Sequence, residues 1–300
     1  MTYQRLSLIF FLIVLLSACG QATNPTPGPP TLTPTITVPP LPSLTPWSTK
    51  TPRPTRTPTP TPLACWGMGS QMVEDQVPSD LLPESIPVLI YLPPCYDQFP
   101  ESNYPALYLF HGQGFDQTQW PRLGITALAD ERIVAGTAPS FIIVMPTISD
   151  WDGPLDSTFG QAVIEELIPY IEANYHANSD RASRQVGGIS RGASWALHLG
   201  LNEWETFSAM GLHSLPVFYE DAPNLPYWLD AIPTNQMPAI YVDFAESDQS
   251  AIRRSARQFL DLLDEREIPY TFTTAPGTHV ESYWASQMDS YLQFYVSNWE

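Results

Sequence analysis

Arg184-Gln-Val-Gly-Gly-Ile-Ser-Arg-Gly-Ala-Ser-Trp-Ala-Leu-His198 is the stretch whose reading decides the fold. Inside it, Gly188-Ile189-Ser190-Arg191-Gly192 has the form G-x-S-x-G, with a short apolar run before it and an Ala/Leu/Trp run compatible with a helix after it. A serine hydroxyl is a weak nucleophile unless it is held clear of the backbone beside a base, and a strained strand-to-helix turn does this. Strand and helix then nearly collide, so only residues without bulk fit two positions either side of the serine. Gly188 and Gly192 meet that need. The turn also aims the first helical amides at the reaction centre, which makes the N–H of Arg191 an oxyanion donor assisted by the helix dipole. The bland alternative is a glycine-rich loop that happens to contain a serine.

The chain has 300 residues and 43% hydrophobic content, enough for one large domain or two small ones. Its formal charge is -18, with 31 acidic residues, all of them after residue 70. Arg5, Lys50, Arg53 and Arg56 precede that point, and no lysine follows it. Nothing there offers a basic stripe for phosphates, so nucleic-acid binding is excluded as a reading. A well-solvated surface accounts for the acidity.

Residues 1–19 carry Arg5, an apolar run over residues 6–16, and then Leu16-Ser17-Ala18-Cys19. The run is shorter than the ~20 apolar residues a spanning helix needs, and it ends in small residues, as an export signal does. Leu-Ser-Ala-Cys resembles the lipobox of bacterial lipoproteins. That resemblance implies a lipid on Cys19 and a protein anchored at the extracellular or cell-envelope face of a membrane. The alternative is an ordinary signal peptide with a chance cysteine. Residues 20–62 are rich in proline and threonine, as in Thr57-Pro58-Thr59-Pro60-Thr61-Pro62. Such a composition buries too little apolar surface to fold, so a disordered linker or stalk is expected. The folded domain is expected over residues 63–300.

Cys65 and Cys95 remain once Cys19 is assigned to the anchor, and an even pair in an exported chain suggests a disulfide. Two unpaired buried thiols are the alternative. Neither cysteine has a partner at C-x-x-C spacing, so no metal site is expected.

Residues 87–92, 106–110 and 141–145 read as strands, with a helix near 125–135 between the last two. A helix over 159–175, the elbow strand and its helix to about residue 201, and a strand near 207–212 follow. Strands at 239–244 and 270–274 then pair with helices over 250–266 and 282–297. Near-continuous apolar strands alternating with helices imply an α/β fold with a mostly parallel sheet covered on both faces. Residues 215–237, rich in Pro, Tyr and Trp, interrupt the alternation and read as an inserted cap.

Ligands of such a sheet bind beyond the carboxyl ends of the strands, which sorts the five histidines. His279 follows the strand at 270–274 through Ala-Pro-Gly-Thr and is the expected base. His198 lies eight residues beyond Ser190, about two helical turns away. His176 ends a helix, His213 ends a strand and is a weaker rival, and His111 suits loop organisation. The acid that orients the imidazole is expected at Asp248, four residues beyond its strand, with Asp243 and Glu246 as rivals. The order Ser190, Asp248, His279 is that of the α/β-hydrolase fold. A second oxyanion amide is expected from His111-Gly112-Gln113-Gly114, at the N–H of Gln113; a plain glycine turn is the alternative.

With those residues in hand, the domain resembles the esterase D-like family, which includes feruloyl esterases, S-formylglutathione hydrolases, enterochelin esterases and mycolyltransferases. The resemblance runs from about Ser85 to Trp284 and includes Tyr91-Leu92-Pro93-Pro94-Cys95-Tyr96-Asp97, Tyr104-Pro105-Ala106-Leu107-Tyr108-Leu109-Phe110-His111-Gly112, the elbow, and Pro276-Gly277-Thr278-His279 with Trp284. It implies Ser190 as nucleophile, His279 as base, Asp248 as acid, and the amides of Gln113 and Arg191 as oxyanion donors. Ala193 and Ala245 stand where the family often has glycine, and Cys95 replaces another frequent glycine. The resemblance implies a serine esterase that works through an acyl-enzyme without metal or organic cofactor, and the N-terminal signal implies that it is exported. Export favours acyl esters on carbohydrate, feruloyl or acetyl, over intracellular thioesters. An acyltransferase of the mycolyltransferase type and a catalytically idle surface-binding domain are the alternatives. Trp120, Trp151, Trp195, Tyr227 and Trp228 are candidates for sugar or aryl stacking, although most buried aromatics are core.

Overall fold

Five-residue runs such as Ala106–Phe110 and Ile142–Pro146 are buried at every position, so each strand there must be covered on both faces. The computed structural model describes residues 64–149 and 152–299. The signal with Cys19, the linker over 20–62 and Trp151 lie outside the described residues. In chain order the strands are β1 (Gln71–Val77), β2 (Ile86–Leu92), β3 (Ala106–Phe110), β4 (Ile142–Pro146), β5 (Arg184–Ile189), β6 (Ala209–His213), β7 (Ala239–Ala245) and β8 (Thr271–Ala275). The helices are α1 (Gln119–Leu123), α2 (Ile125–Val134), α3 (Phe159–Ala162), α4 (Ile168–Asn174), α5 (Arg191–Asn202), α6 (Leu225–Ala231), α7 (Ser250–Asp264) and α8 (Glu281–Ser297).

One eight-stranded sheet has the order β1-β2-β4-β3-β5-β6-β7-β8. The pairs β1/β2 and β2/β4 are antiparallel, and all the others are parallel. This is the α/β-hydrolase architecture expected from the sequence, with an antiparallel flank added. Alternation along each strand feeds two cores. Ala106, Tyr108 and Phe110 join Phe159, Trp195 and Phe259 on one face, whereas Leu107 and Leu109 join Trp120, Tyr291 and Tyr295 on the other. Helix α7 shows why its segment folds as it does. Ile252, Ala256, Phe259, Leu260 and Leu263 recur at helical spacing and are its buried residues.

Two details differ from the sequence reading, and a third agrees with it. The helix expected over 159–175 is interrupted by a π-turn at Val163–Leu167, just before Pro169, whose ring nitrogen has no hydrogen to give to the preceding turn. Residues 215–237 do not form a cap. Leu225, Leu229 and Ile232 are buried in the same core as Trp195, and Trp228 packs edge-on to His198 of α5. The segment is a packed flank of the elbow helix. Finally, Cys65 and Cys95 are disulfide-bonded, with Cα atoms 5.1 Å apart, which settles the alternative left open above. Cys95 adopts φ 69, in the left-handed region that glycine enters most readily.

Candidate active site

Strand β5 enters the centre of the sheet between β3 and β6, and the chain reverses at Ser190 into α5. Ser190 has φ 53 and ψ -119, a conformation costly for a residue with a side chain. It is held by its own N–H donating to the carbonyl of His213, at 2.8 Å, and by its carbonyl accepting from Ser194 N, at 3.1 Å. The need for small residues either side is direct. A Cβ on Gly188 would lie 2.2 Å from the carbonyl carbon of Gly192, and a Cβ on Gly192 would lie 2.3 Å from the carbonyl oxygen of Phe110. Ala193, at a position that often carries glycine in the family it resembles, is accommodated fully buried.

The structure brings together the three side chains expected from the sequence. His279 Nε2 lies 2.9 Å from Ser190 Oγ, and His279 Nδ1 lies 2.9 Å from Asp248 Oδ1. Asp248 follows β7 through a turn in which its N–H donates to the carbonyl of Ala245 at 2.9 Å, and Ala245 is fully buried. Burial pushes the Asp248 carboxyl up. Hydrogen bonds from His279, Ser214 and the Gln249 N–H outweigh that and hold it below the usual carboxylate value, so it is a firm anion. The rivals fall elsewhere. Asp243 binds His213, Tyr283 and Tyr291, and Glu246 is exposed.

The loop after β3 is also ordered by side chains. Gly112 N–H donates to Gln119 Oε1 at 2.7 Å, and His111 is clamped between the carbonyl of Gly112 at Nδ1 and the N–H of Ile148 at Nε2, both 2.8 Å. Since Nε2 accepts, Nδ1 carries the proton. Burial drives the His111 imidazole below its ordinary value, against the raising effect of the Gly112 carbonyl, so it is a neutral brace and not a base. The backbone N–H of Gln113 has no hydrogen-bond acceptor among the described residues.

Four contributors were missed by sequence reasoning. Ser214 donates to Asp248 Oδ2 at 2.8 Å, and Trp284 donates from Nε1 to Ser214 Oγ at 3.0 Å. Gln119 secures the loop after β3. The Arg191 side chain, which has no part in the elbow argument, donates to the carbonyl of Asp152 and lies 5.5 Å from the ring centre of Phe218. Of the aromatic candidates, Trp120 and Trp195 are fully buried, while Tyr227 is exposed. A cavity of about 740 Å³ opens at the other end of the sheet, around the starts of β7 and β8, and no triad residue lines it.

A family model described as putative esterase matches residues 79–295. The chain is 32% identical over 136 residues to an endo-1,4-beta-xylanase/feruloyl esterase of Xylanibacter ruminicola, covering 42% of this chain and 19% of that protein. It is 34% identical over 127 residues to an esterase of Mycobacterium tuberculosis, covering 38% and 26% respectively. The chain therefore spans about a quarter or less of the curated relatives it matches. A solved ferulic acid esterase superposes with a TM-score of 0.68 at 24% identity, over 77% of this chain and 99% of that one, a likeness of fold. Among the described residues, no helix is long and apolar enough to cross a membrane.

Proposed function

We propose that this chain, which belongs to the putative esterase family, is a serine carboxylic ester hydrolase acting through an acyl-enzyme. The observation that carries the reading is the unbroken hydrogen-bonded chain from Ser190 Oγ through His279 to Asp248 at the carboxyl end of the parallel strands. Ser190 attacks the ester carbonyl while His279 Nε2 takes its proton. Asp248, a firm anion, steadies the imidazolium. The amides of Gln113 and Arg191 hold the tetrahedral oxyanion, His279 returns the proton to the leaving alcohol, and water then releases the acid by the reverse route. The substrate class is an acyl ester on carbohydrate, feruloyl or acetyl. The name of the Xylanibacter relative, which joins a xylanase with a feruloyl esterase, supports that choice. Cys19 supplies the lipid anchor, and residues 20–62 form a linker that sets the enzyme away from the membrane.

A fluorophosphonate probe and hydrolysis of methyl ferulate test the reading together. Wild type should be labelled and should release ferulate, and Ser190→Ala should do neither. Failure of folded wild type to label, or equal labelling of the variant, overturns it.

A further inference from the structure

We infer that Ser214 is a positioning residue for the triad, fixing Asp248 through a hydrogen-bonded chain that begins at Trp284; the inference rests on the hydrolase reading above. Strand β6 lies between β5, which ends at the nucleophile, and β7, which leads to the acid. Its end is therefore the one place in the sheet that touches both. Two consecutive residues use it. The carbonyl of His213 accepts the N–H of Ser190, and the hydroxyl of Ser214 reaches Asp248.

The direction of the second bond is fixed by chemistry. An indole N–H only donates, so Trp284 occupies an acceptor site on Ser214 Oγ, and the single hydroxyl proton goes to Asp248 Oδ2. The other carboxylate oxygen, Oδ1, takes the Gln249 N–H at 2.7 Å and His279 Nδ1 at 2.9 Å. With both oxygens occupied, the carboxylate cannot turn without breaking a buried bond. Ser214 is itself fully buried and adopts φ 53, in the left-handed region that serine rarely enters. Strain of this kind persists only where the surroundings over-determine it. Its N–H donates to the carbonyl of Asp243 at 2.8 Å.

The frame behind this pair is equally built. His213 binds Asp243 Oδ1 at 2.8 Å and Tyr295 at 3.0 Å and stacks on Tyr291, with ring centres 3.6 Å apart. Tyr283 and Tyr291 both donate to Asp243 Oδ2 at 2.8 Å. Tyr283, Trp284, Tyr291 and Tyr295 all come from α8, which starts two residues after His279. One helix thus anchors the acid and the nucleophile by way of β6.

The test compares full-length wild type with Ser214→Ala, Ser214→Gly and Ser214→Cys, and leaves Trp284 in place because its ring lies edge-on against His279, with ring centres 4.9 Å apart. Glycine removes the hydroxyl while easing the backbone, so it separates the two effects. Steady-state kinetics with methyl ferulate should show kcat about 10- to 100-fold lower for the alanine and glycine variants, with KM within about twofold, as expected for loss of a buried hydrogen bond to a charged group. Proton NMR should show the low-field signal of the His279 Nδ1–H moved or broadened. Folded Ser214 variants with kcat within about twofold of wild type and an unmoved signal overturn the inference. If neither the alanine nor the glycine variant folds, Ser214→Cys, close in size but a far weaker donor, decides the matter: a shifted signal and lowered kcat support it, and unchanged values of both overturn it. Wild type without turnover or Ser190-dependent labelling would instead defeat the hydrolase reading. Activity in wild type together with indifferent Ser214 variants defeats only this one.

Discussion

Replacing Gly192 with alanine should damage the site from a position that contributes no side chain to it. The new Cβ would stand 2.3 Å from the carbonyl oxygen of Phe110, 2.6 Å from its carbonyl carbon and 2.7 Å from the carbonyl oxygen of His111, where ordinary contact begins at 3.4 Å. All three atoms are backbone, so no rotamer change relieves the clash, and the end of β3 must part from the start of α5 by about 1 Å. Gln113, whose amide is the proposed oxyanion donor, lies three residues beyond Phe110 and moves with it. Misplacement on that scale costs on the order of 100-fold in rate, and overpacking of a tight interior costs about 1–3 kcal/mol. For a domain of this size that is a fall in Tm of roughly 2–4 °C per kcal/mol. Thermal unfolding and methyl ferulate hydrolysis should be measured beside Gly67→Ala, where a Cβ meets nothing within 4 Å. Wild-type turnover and Tm in Gly192→Ala would refute the claim that close approach of β3 and α5 sets the oxyanion geometry.

Asp248→Asn should lower kcat about 10³- to 10⁴-fold with KM little changed, since a neutral amide neither stabilises the imidazolium nor selects its tautomer; steady-state kinetics decide this. His111 makes stability pH-dependent. Burial lowers its folded-state pKa below the ordinary 6.5, so below that pH the unfolded chain binds more protons and stability is lost as pH falls from 6.5 toward the folded value. Urea unfolding between pH 5 and pH 7 should therefore show a shallower dependence in His111→Gln than in wild type. Cys65→Ser removes a bond that closes a loop of 30 residues, and the entropy of that loop predicts a loss of about 3–4 kcal/mol, readable from denaturant midpoints under oxidising conditions.

The central strands were legible because they are buried on both faces. Ala106–Phe110 falls where its apolar run placed it, and β2 and β4 shift by a single residue. Strand β1 was not legible. Gln71-Met-Val-Glu-Asp-Gln-Val pairs only with β2, is mostly open to solvent, and offers neither an apolar run nor clean alternation. The antiparallel setting of β2 was hidden for a different reason: a strand buried on both faces reads alike in either direction. Ser214 was missed because its role depends on β6 lying between β5 and β7, and adjacency of strands is not written in any one of them. The same adjacency separates the rival acids. Tyr241 and Ala245 point into the core that holds Tyr291, while Val242 and Phe244 point into the other. Asp243, on the parity of Tyr241, is thereby directed toward α8 and away from His279.

The histidines show what distinguishes a base from a brace. An imidazole that moves protons needs one nitrogen held by an acceptor and the other presented to a reacting group. His111 has both nitrogens committed to backbone, and His213 pairs Asp243 with the phenol of Tyr295 inside the core, so neither faces a hydroxyl at the strand-to-helix turn. His198 has the carboxylate of Asp221 at 3.0 Å from Nδ1, yet it lies on α5 two turns beyond Ser190, its ring edge-on to Trp195 and Trp228. His279 alone among them pairs a carboxylate at Nδ1 with a serine hydroxyl at Nε2. The sequence could rank these residues by distance from strand ends, and the residue it ranks first is the one that lies between Ser190 and Asp248. What commits His111 and His213 to structure is the partner of the second nitrogen, the N–H of Ile148 in one case and the hydroxyl of Tyr295 in the other, each from a different element of the fold.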